Sequence, residues 1–521
     1  MKKYANYLAF IKKSWLLVIL GFVFNLLFGV LKTEGAVYLQ KITDAIESGE
    51  MENLLVLVLL GGGLTYFSFV IRWLGAIVPR FLQEKFSFEV RVKLWEHLTK
   101  IPFLKYESRS AGDLQSLIQN DSSKAGQAIY TVLSRIGNNI FLFICSIWAM
   151  AQTDLLITVI AVLIVVFATW INQMILKRMK QHDKNAQKAL SDMNGSLERT
   201  FSGIETVKTS GAHEYVQRSY LEKLDLYCNH RLKSTKVGAA RTLWYSVTEN
   251  LCLYGSVFFL GSMGLQGRMS IGEVLMFIYL VKQIIMPIEV IFRWMASLPG
   301  SAASWERIQD VLSIDAERLD TTVDKREDVH EVHLTNMNFA YEPGREILNN
   351  AELHLEKGKI TRLTGESGSG KTTQLKILMG LYKSETLQTK INGQLVSALK
   401  PADTAFSAID NSIFPMSIHD NIALGRPRIS VADSQKILED LGYGDWLSTL
   451  PDGVNTVVSD NLSGGQKQGI ANARALLSGR PVIVFDEPFS ALDTQKEERL
   501  KEMLQEAANS KLVLLTSHRD I

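Results

Sequence analysis

Six apolar stretches within the first 300 residues constrain this chain more than any other feature, because a helix needs about 20 apolar residues to cross a bilayer. They lie near Trp15–Val37, Leu54–Val78, Ile136–Ala151, Leu155–Leu176, Leu243–Gly264 and Ile271–Met295. Inside a bilayer each has to be helical, since backbone N–H and C=O groups find no water there to pair with. The third is short, and Gln152-Thr-Asp154 joins it to the fourth, so these two read as a helical hairpin. Hydrophobic residues make up 47% of the 521, high for a chain that is also 21% charged, and the excess sits in this half.

Such a length needs more than one core. A net charge of only +2 gives no case for a nucleic-acid partner. Cys145, Cys228 and Cys252 lie far apart, match no metal or disulfide spacing, and read as small apolar residues in a reduced setting. Met1 to Trp15 is amphipathic and punctuated by lysines, and the first apolar run is too long for a cleavable signal. Lys2, Lys3, Lys12 and Lys13 precede that run, and Gln83–Arg135 and Lys177–Arg241 are rich in Lys and Arg. The opposite loops, such as Asp44 to Glu52, are short and mostly acidic or neutral, so both termini are expected on the cytoplasmic side. Helical apolar spacing persists in the basic segments (Phe88, Val92, Leu94, Leu98, Ile101), which predicts helices continuing out of the bilayer. Glu34, Arg72, Glu249, Lys282, Glu289 and Arg293 fall within the spans. They are candidate pathway residues, with pairing among themselves or an interfacial position as the alternative. The acidic ones would suit a cationic cargo. Ala296–Asp328 reads as a mostly helical tether.

From Val329 short strands alternate with helices, the pattern of an α/β fold. Gly365, Glu366, Ser367, Gly368, Ser369, Gly370, Lys371, Thr372 and Thr373 fit the phosphate-loop pattern G-x-x-x-x-G-K-[ST], with a strand before it (Lys359–Leu363) and a helix after it (Gln374–Met379). The glycines let successive N–H groups point inward as an anion nest at a helix N-terminus. Lys371 would reach the β- and γ-phosphates, and the Thr372 hydroxyl would ligate Mg²⁺. A chance Gly/Ser-rich turn is the competing reading, and the strand-loop-helix context opposes it. Pro481 to Asp486 is an apolar run ending in an acid, which predicts a buried parallel strand with a carboxylate at its C-terminal end. Asp486 would then hold the Mg²⁺ shell, and Glu487 would orient or deprotonate the attacking water. Lys511 to His518 is a second such strand, delivering a histidine, His518, toward a γ-phosphate. Leu462-Ser-Gly-Gly-Gln466 precedes a helix (Gln468–Leu477) and forms another phosphate-binding N-terminus with the Ser463 hydroxyl as donor. A helix-capping loop without a ligand is the alternative there.

In this order the motifs resemble those of the ATP-binding cassette transporters, and more narrowly a bacterial exporter half-transporter in which six spans are fused to one cassette. The resemblance covers nearly the whole chain. It implies an all-α polytopic transmembrane domain (1–300), a linker (301–328) and an α/β phosphate-loop ATPase cassette with a helical subdomain (329–521), in the plasma membrane of a bacterium. Tyr106 to Asp113 is similar to the family's first intracellular loop and Ser202 to Lys208 to its second, where coupling helices touch the cassettes. By the same resemblance Tyr341 stacks on adenine, Asp493 closes the D-loop, Glu487 is the catalytic base and His518 the switch histidine. Ser463, Gly464, Gly465 and Gln466 form the signature that binds ATP held by the opposite cassette. One chain thus carries half of each site, which implies a homodimer, with a heterodimer left open. ATP binding would draw the cassettes together and turn the membrane helices outward, and hydrolysis would release them.

The sequence also departs from the family. Ile409 stands where a glutamine normally ligates Mg²⁺ and senses the membrane half, with Asp410 beside it as a possible substitute. The loop Val458–Leu462 is short, and Gly469 occupies an often basic position. Three functions compete. The first is export of a peptide such as a bacteriocin, modified peptide or pheromone, without an N-terminal cysteine peptidase, since no cysteine precedes Cys145. Second comes export of a lipid or hydrophobic drug. The third is a membrane-bound ATP-binding module for sensing or immunity with little hydrolysis, which Ile409 favours and Glu487 and His518 oppose.

Overall fold

The computed structural model describes residues 10–50, 52–317, 329–341, 344–366, 368–396, 399, 403–408, 413–424, 426–458 and 461–517. They divide into two compact units, Met1–Glu96 with Ala111–Ser313 and His97–Ser110 with Ile314–Ile521.

The first unit is built of long helices. α1 (Trp15–Ser48) stops at Gly49, whose φ of +76° lets its N–H turn back to close the last turn. α2 (Leu54–Leu98) runs for 45 residues through Pro79. A short α3 (Phe103–Glu107) follows, then α4 (Ala111–Thr153), which contains the π-helical stretches Leu117–Asp121 and Thr131–Ile136. Asp154 separates α4 from α5 (Leu155–Ser202), and its carboxylate accepts the Ile157 N–H at 2.9 Å. The expected hairpin turn is therefore present, and it is an N-cap that ends one helix and starts the next. Beyond it come α6 (Ile204–Thr209), α7 (His213–Leu265), α8 (Ile271–Met295), opened by a Ser270/Glu273 capping box, and α9 (Leu298–Leu312). At 1.5 Å per residue α2, α5 and α7 are each about 70–80 Å long, more than twice the hydrocarbon thickness. They carry the expected continuations beyond the bilayer.

Among the described residues five segments are long and apolar enough to span: α1, α2, α4, α5 and Ile271–Leu312. The sixth expected span is the C-terminal half of α7, where Thr248, Glu249 and Asn250 dilute the apolar run. Phe277, Leu280 and Ile284 of α8 are fully buried against Ala36, Met150 and Leu260. Of the charged residues expected in the spans, Glu289 pairs with Arg293 (2.6 Å) and with Arg241 (3.5 Å), the self-pairing alternative. Arg72 lies over the Phe28 ring at 5.5 Å. On α9, Trp305 is buried, the Ser304 hydroxyl donates to Asp121, and Arg307 bridges Asp113 (2.6 Å) and Asp121 (2.8 Å). A cavity of about 510 Å³ opens among α5, α7 and α8, lined by Ile164, Phe167, Trp244, Leu251, Phe259 and Phe277.

The second unit carries two sheets. One is antiparallel, in the order β2 (Glu346–Glu356), β1 (Glu331–Ala340), β4 (Gln388–Ile391), β5 (Gln394–Val396). The other runs β3 (Ile360–Leu363), β8 (Leu512–Thr516), β7 (Val482–Asp486), β6 (Thr404–Ser407), with every pairing parallel. Strands β7 and β8 are almost entirely buried, which is why both read as unbroken apolar runs. Helices α10 (Lys371–Leu378), α11 (Ile418–Ala423), α12 (Val431–Asp440), α13 (Gly444–Ser448), α14 (Gly464–Leu476) and α15 (Thr494–Ala508) pack around them. α3 belongs to this unit by packing, with Phe103 and Leu104 against the core that holds Leu375, Leu378 and Tyr382.

Candidate functional site

A parallel sheet brings the C-terminal ends of its strands to one edge, and ligands of open α/β sheets bind beyond that edge. Here Leu363 at the end of β3 and Asp486 at the end of β7 are both in register with Thr516, the last residue of the strand between them. The phosphate loop follows Leu363 and Glu487 follows Asp486, so topology alone sets the two motifs side by side. The Thr516 hydroxyl ties them further: it donates to Asp486 Oδ1 and accepts the Glu487 N–H at 3.0 Å. Nothing in the sequence marks Thr516 out beyond its place at the end of a buried strand.

In the loop, Gly370 has a φ of +88°, and a Cβ there would lie 2.7 Å from Leu348 Cδ2 and 3.3 Å from Ile347 Cγ2. Only glycine fits, so the chain can turn into α10 with its first N–H groups open. Lys371 donates to the carbonyl oxygens of Gly365 (2.6 Å) and Glu366 (3.0 Å), which holds its ammonium across the hollow of the loop. The Ser369 N–H also donates to Glu366 O at 3.2 Å, and Gly368 too adopts a positive φ. Thr372 is exposed in the first turn of α10; Thr373 is buried and shares a 3.2 Å hydrogen bond with the Tyr341 hydroxyl. Ser367, Ile409, Asp410 and His518 lie outside the described residues.

Among the described residues no group of three or more His, Cys, Asp or Glu could cage a metal. A hard cation that keeps waters and phosphate oxygens needs only one or two protein oxygens, and the Thr372 hydroxyl and Asp486 carboxylate are donors of that kind.

Glu487 has a φ of +49°, a left-handed conformation that costs a non-glycine residue about 1–2 kcal/mol. Hydrogen bonds to its backbone hold it there. Its N–H donates to Thr516 O (3.2 Å) and to the Thr516 hydroxyl, and its carbonyl accepts from Gln468 Nε2 (2.9 Å) and the Ser490 hydroxyl (3.2 Å). Gln468 is itself buried, and its Oε1 accepts the Ala491 N–H at 3.1 Å. This one amide therefore fixes the turn after Asp486 against α14, a role no spacing in the sequence had signalled. Asp493 caps α15 through Lys496 N–H (3.0 Å). Hydrogen bonds from the Lys496 ammonium and backbone hold its carboxyl below the usual carboxylate range.

The helix after Leu462 begins earlier than the expected Gln468, at Gly464, with Ser463 as N-cap. Ser463 Oγ accepts the Gln466 N–H (3.3 Å), and Gln466 Oε1 accepts the Ser463 N–H (2.8 Å), a reciprocal capping box. Ser463 and Gly464 are exposed, whereas Gly469 is buried against Tyr443, whose hydroxyl donates to Gly465 O at 2.6 Å. The departure at position 469 thus has a packing reason: the Tyr443 ring fills the space any side chain there would need.

Comparison with known proteins gives the same assignment. The family description "ABC transporter transmembrane region" matches residues 18–288, and "ABC transporter" matches residues 348–490. The chain is 28% identical over 444 residues to the alpha-hemolysin translocation ATP-binding protein HlyB of Escherichia coli O157:H7, covering 83% of this chain and 62% of that protein. It therefore spans less than two thirds of that relative's length. It is also 26% identical to the uncharacterized ABC transporter ATP-binding protein YfiC of Bacillus subtilis (strain 168), across 100% of this chain and 87% of the other. The fold is similar to a bacterial Atm1-family ABC exporter with ATP bound, with a TM-score of 0.76 at 21% identity over 98% of this chain and 91% of that one. With its multi-pass membrane region and nucleotide-binding ATPase region fused in one polypeptide, the chain belongs to the ABC transporter family.

Proposed function

We propose that two copies of this chain form an ATP-driven exporter of polypeptide cargo, with both termini and the cassette cytoplasmic and the membrane domain, linker and cassette bounded near 300 and 329. One observation carries the reading: a phosphate loop with its lysine seated in the hollow, beside a carboxylate pair at the same sheet edge. Tyr341 offers its face to adenine, and the loop N–H groups with Lys371 bind the phosphates. Thr372 and Asp486 would hold Mg²⁺, which neutralises phosphate charge when bound. Glu487, set by Thr516 and Gln468, orients or deprotonates the attacking water, and His518 is the residue that the family resemblance assigns to the γ-phosphate.

The exposed signature at Ser463 and Gly464 supports a second copy, since its anion-binding N-terminus needs a nucleotide held elsewhere. α6 supports it as well, having no buried residue while Phe201 and Ile204 beside and within it are exposed. A polypeptide cargo rests on the relative named for alpha-hemolysin translocation. The apolar cavity among α5, α7 and α8 favours a second reading, a lipid or hydrophobic drug. ATPase measurements on purified protein in lipid, with polypeptides, lipids and drugs beside Glu487→Gln, separate them. Stimulation by polypeptides alone supports the first reading and by lipids or drugs alone the second; no turnover above the Glu487→Gln background refutes both.

A further inference from the structure

Within the second unit a chain of contacts joins the nucleotide site to the 97–110 loop. α3 lies between α2 and α4, so both ends of the 97–110 loop continue covalently into membrane-spanning helices. The Glu107 carboxylate at the end of α3 receives two donors from the cassette: the Tyr382 hydroxyl on one oxygen and Lys376 Nζ on the other, at 2.8 Å. Lys376 sits on α10, one turn beyond Thr372 and therefore on the same helix face. The Tyr382 ring stacks on Phe339 (4.8 Å between centroids, 2° between planes) and meets Tyr341 edge to face at 5.8 Å. Tyr341 in turn shares its hydroxyl with Thr373 of α10.

We propose that Glu107 is a positioning residue that reads both ends of the nucleotide site at once, the adenine end through Tyr382 and Tyr341 and the phosphate end through Lys376 and α10. The inference rests on the ATP-binding reading above. Docking and reading are separable here. Phe103 and Leu104 bury apolar surface in the cassette core and hold α3 in place, whereas the carboxylate adds little attraction at its degree of exposure but has two donors of fixed direction. When adenine orders Tyr341, the Tyr382 ring and hydroxyl are ordered with it, and α3 follows.

The test is hydrogen–deuterium exchange of the full-length protein in lipid nanodiscs, with and without saturating Mg-ATP, on wild type, Glu107→Gln and Tyr382→Phe, with Lys371→Ala as the control that should not bind. Nucleotide binding is measured separately by equilibrium dialysis, so hydrolysis is not needed. In wild type, ATP should slow exchange of amides 103–110 about fivefold or more. In Tyr382→Phe, which keeps the ring, and in Glu107→Gln, which keeps the shape, that protection should be lost at saturating ATP, while protection within the phosphate loop remains. ATP bound with no protection of 103–110 in wild type, or with equal protection in all three proteins, overturns the relay alone. Failure of wild type to bind Mg-ATP overturns the relay together with the reading beneath it.

Discussion

Adding one methyl group at Gly469 should destabilise the cassette, and removing the Tyr443 ring should reverse the sign of that effect. A Cβ at 469 would lie 2.5 Å from Tyr443 Cε2 and 2.8 Å from its hydroxyl oxygen, about 1 Å inside ordinary carbon contact distance. Tyr443 has little room to yield: it is 4% exposed, its hydroxyl is bonded to Gly465 O, Trp446 packs on it, and the Lys496 ammonium lies over its ring. Overpacking costs about 1–3 kcal/mol, and losing the hydroxyl bond costs about 1 kcal/mol more. Replacing glycine by alanine inside a helix returns about 1 kcal/mol. The net is a loss of about 1–3 kcal/mol, or a fall in Tm of about 2–12 °C for a domain of this size. In a Tyr443→Ala background, itself destabilised by about 3–5 kcal/mol, the same Gly469→Ala change meets no ring and should raise Tm by about 2–4 °C. Thermal unfolding of the four proteins of this double-mutant cycle in nanodiscs gives the coupling directly. If Gly469→Ala shifts Tm by the same amount in both backgrounds, the packing account of position 469 is wrong.

Other expectations follow from single positions. Gly370→Ala forces a left-handed alanine, costing about 1–2 kcal/mol, into contact with Leu348 and Ile347. ATP affinity should drop about tenfold or more, and an unchanged Kd would contradict the loop geometry. Burial acts to raise the Glu107 pKa, but the hydrogen bonds from Lys376 and Tyr382 and the Lys376 charge outweigh it, leaving the pKa below its ordinary 4.5. A depressed carboxylate contributes stability that is present above the unfolded pKa and is lost as pH falls through the folded one. The Tm gap between wild type and Glu107→Gln should therefore be constant from pH 7 to about 5 and close below 4.5; a gap that widens with acid has the wrong sign. Asp154→Ala removes the N-cap of α5 and should cost about 1 kcal/mol, read as a lower Tm in nanodiscs; no loss would mean the hairpin turn is held by other contacts.

What the sequence carried well was local. Span length shows in runs of apolar residues, the hairpin in Asp154, and the phosphate loop in glycine spacing, because each depends on neighbours within a turn or two. Long-range contacts were not legible. Glu107 and Tyr382 are 275 positions apart, and nothing in either residue announces the other. Gln468 looked like any helical glutamine until the fold placed its amide between Glu487 and Ala491. Gly469 reads only as a departure from an often basic position, because the ring that explains it comes from another helix boundary. α7 shows the limit of composition: its span is mixed with polar residues, so it does not stand with the five apolar spans found among the described residues.

Pairing two differently damaged chains shows whether each nucleotide site is completed by a second copy, as proposed. Lys371→Ala breaks the phosphate-loop half and Ser463→Arg the signature half. Either variant alone should have no ATPase activity. Dimers isolated with one Lys371→Ala chain and one Ser463→Arg chain keep one intact composite site and should recover up to about half of wild-type turnover. Dimers of wild type with a chain carrying both changes contain the same damage but no intact site, and should be inactive. Equal activity in the two mixed dimers, or full activity in either single variant, would contradict the account.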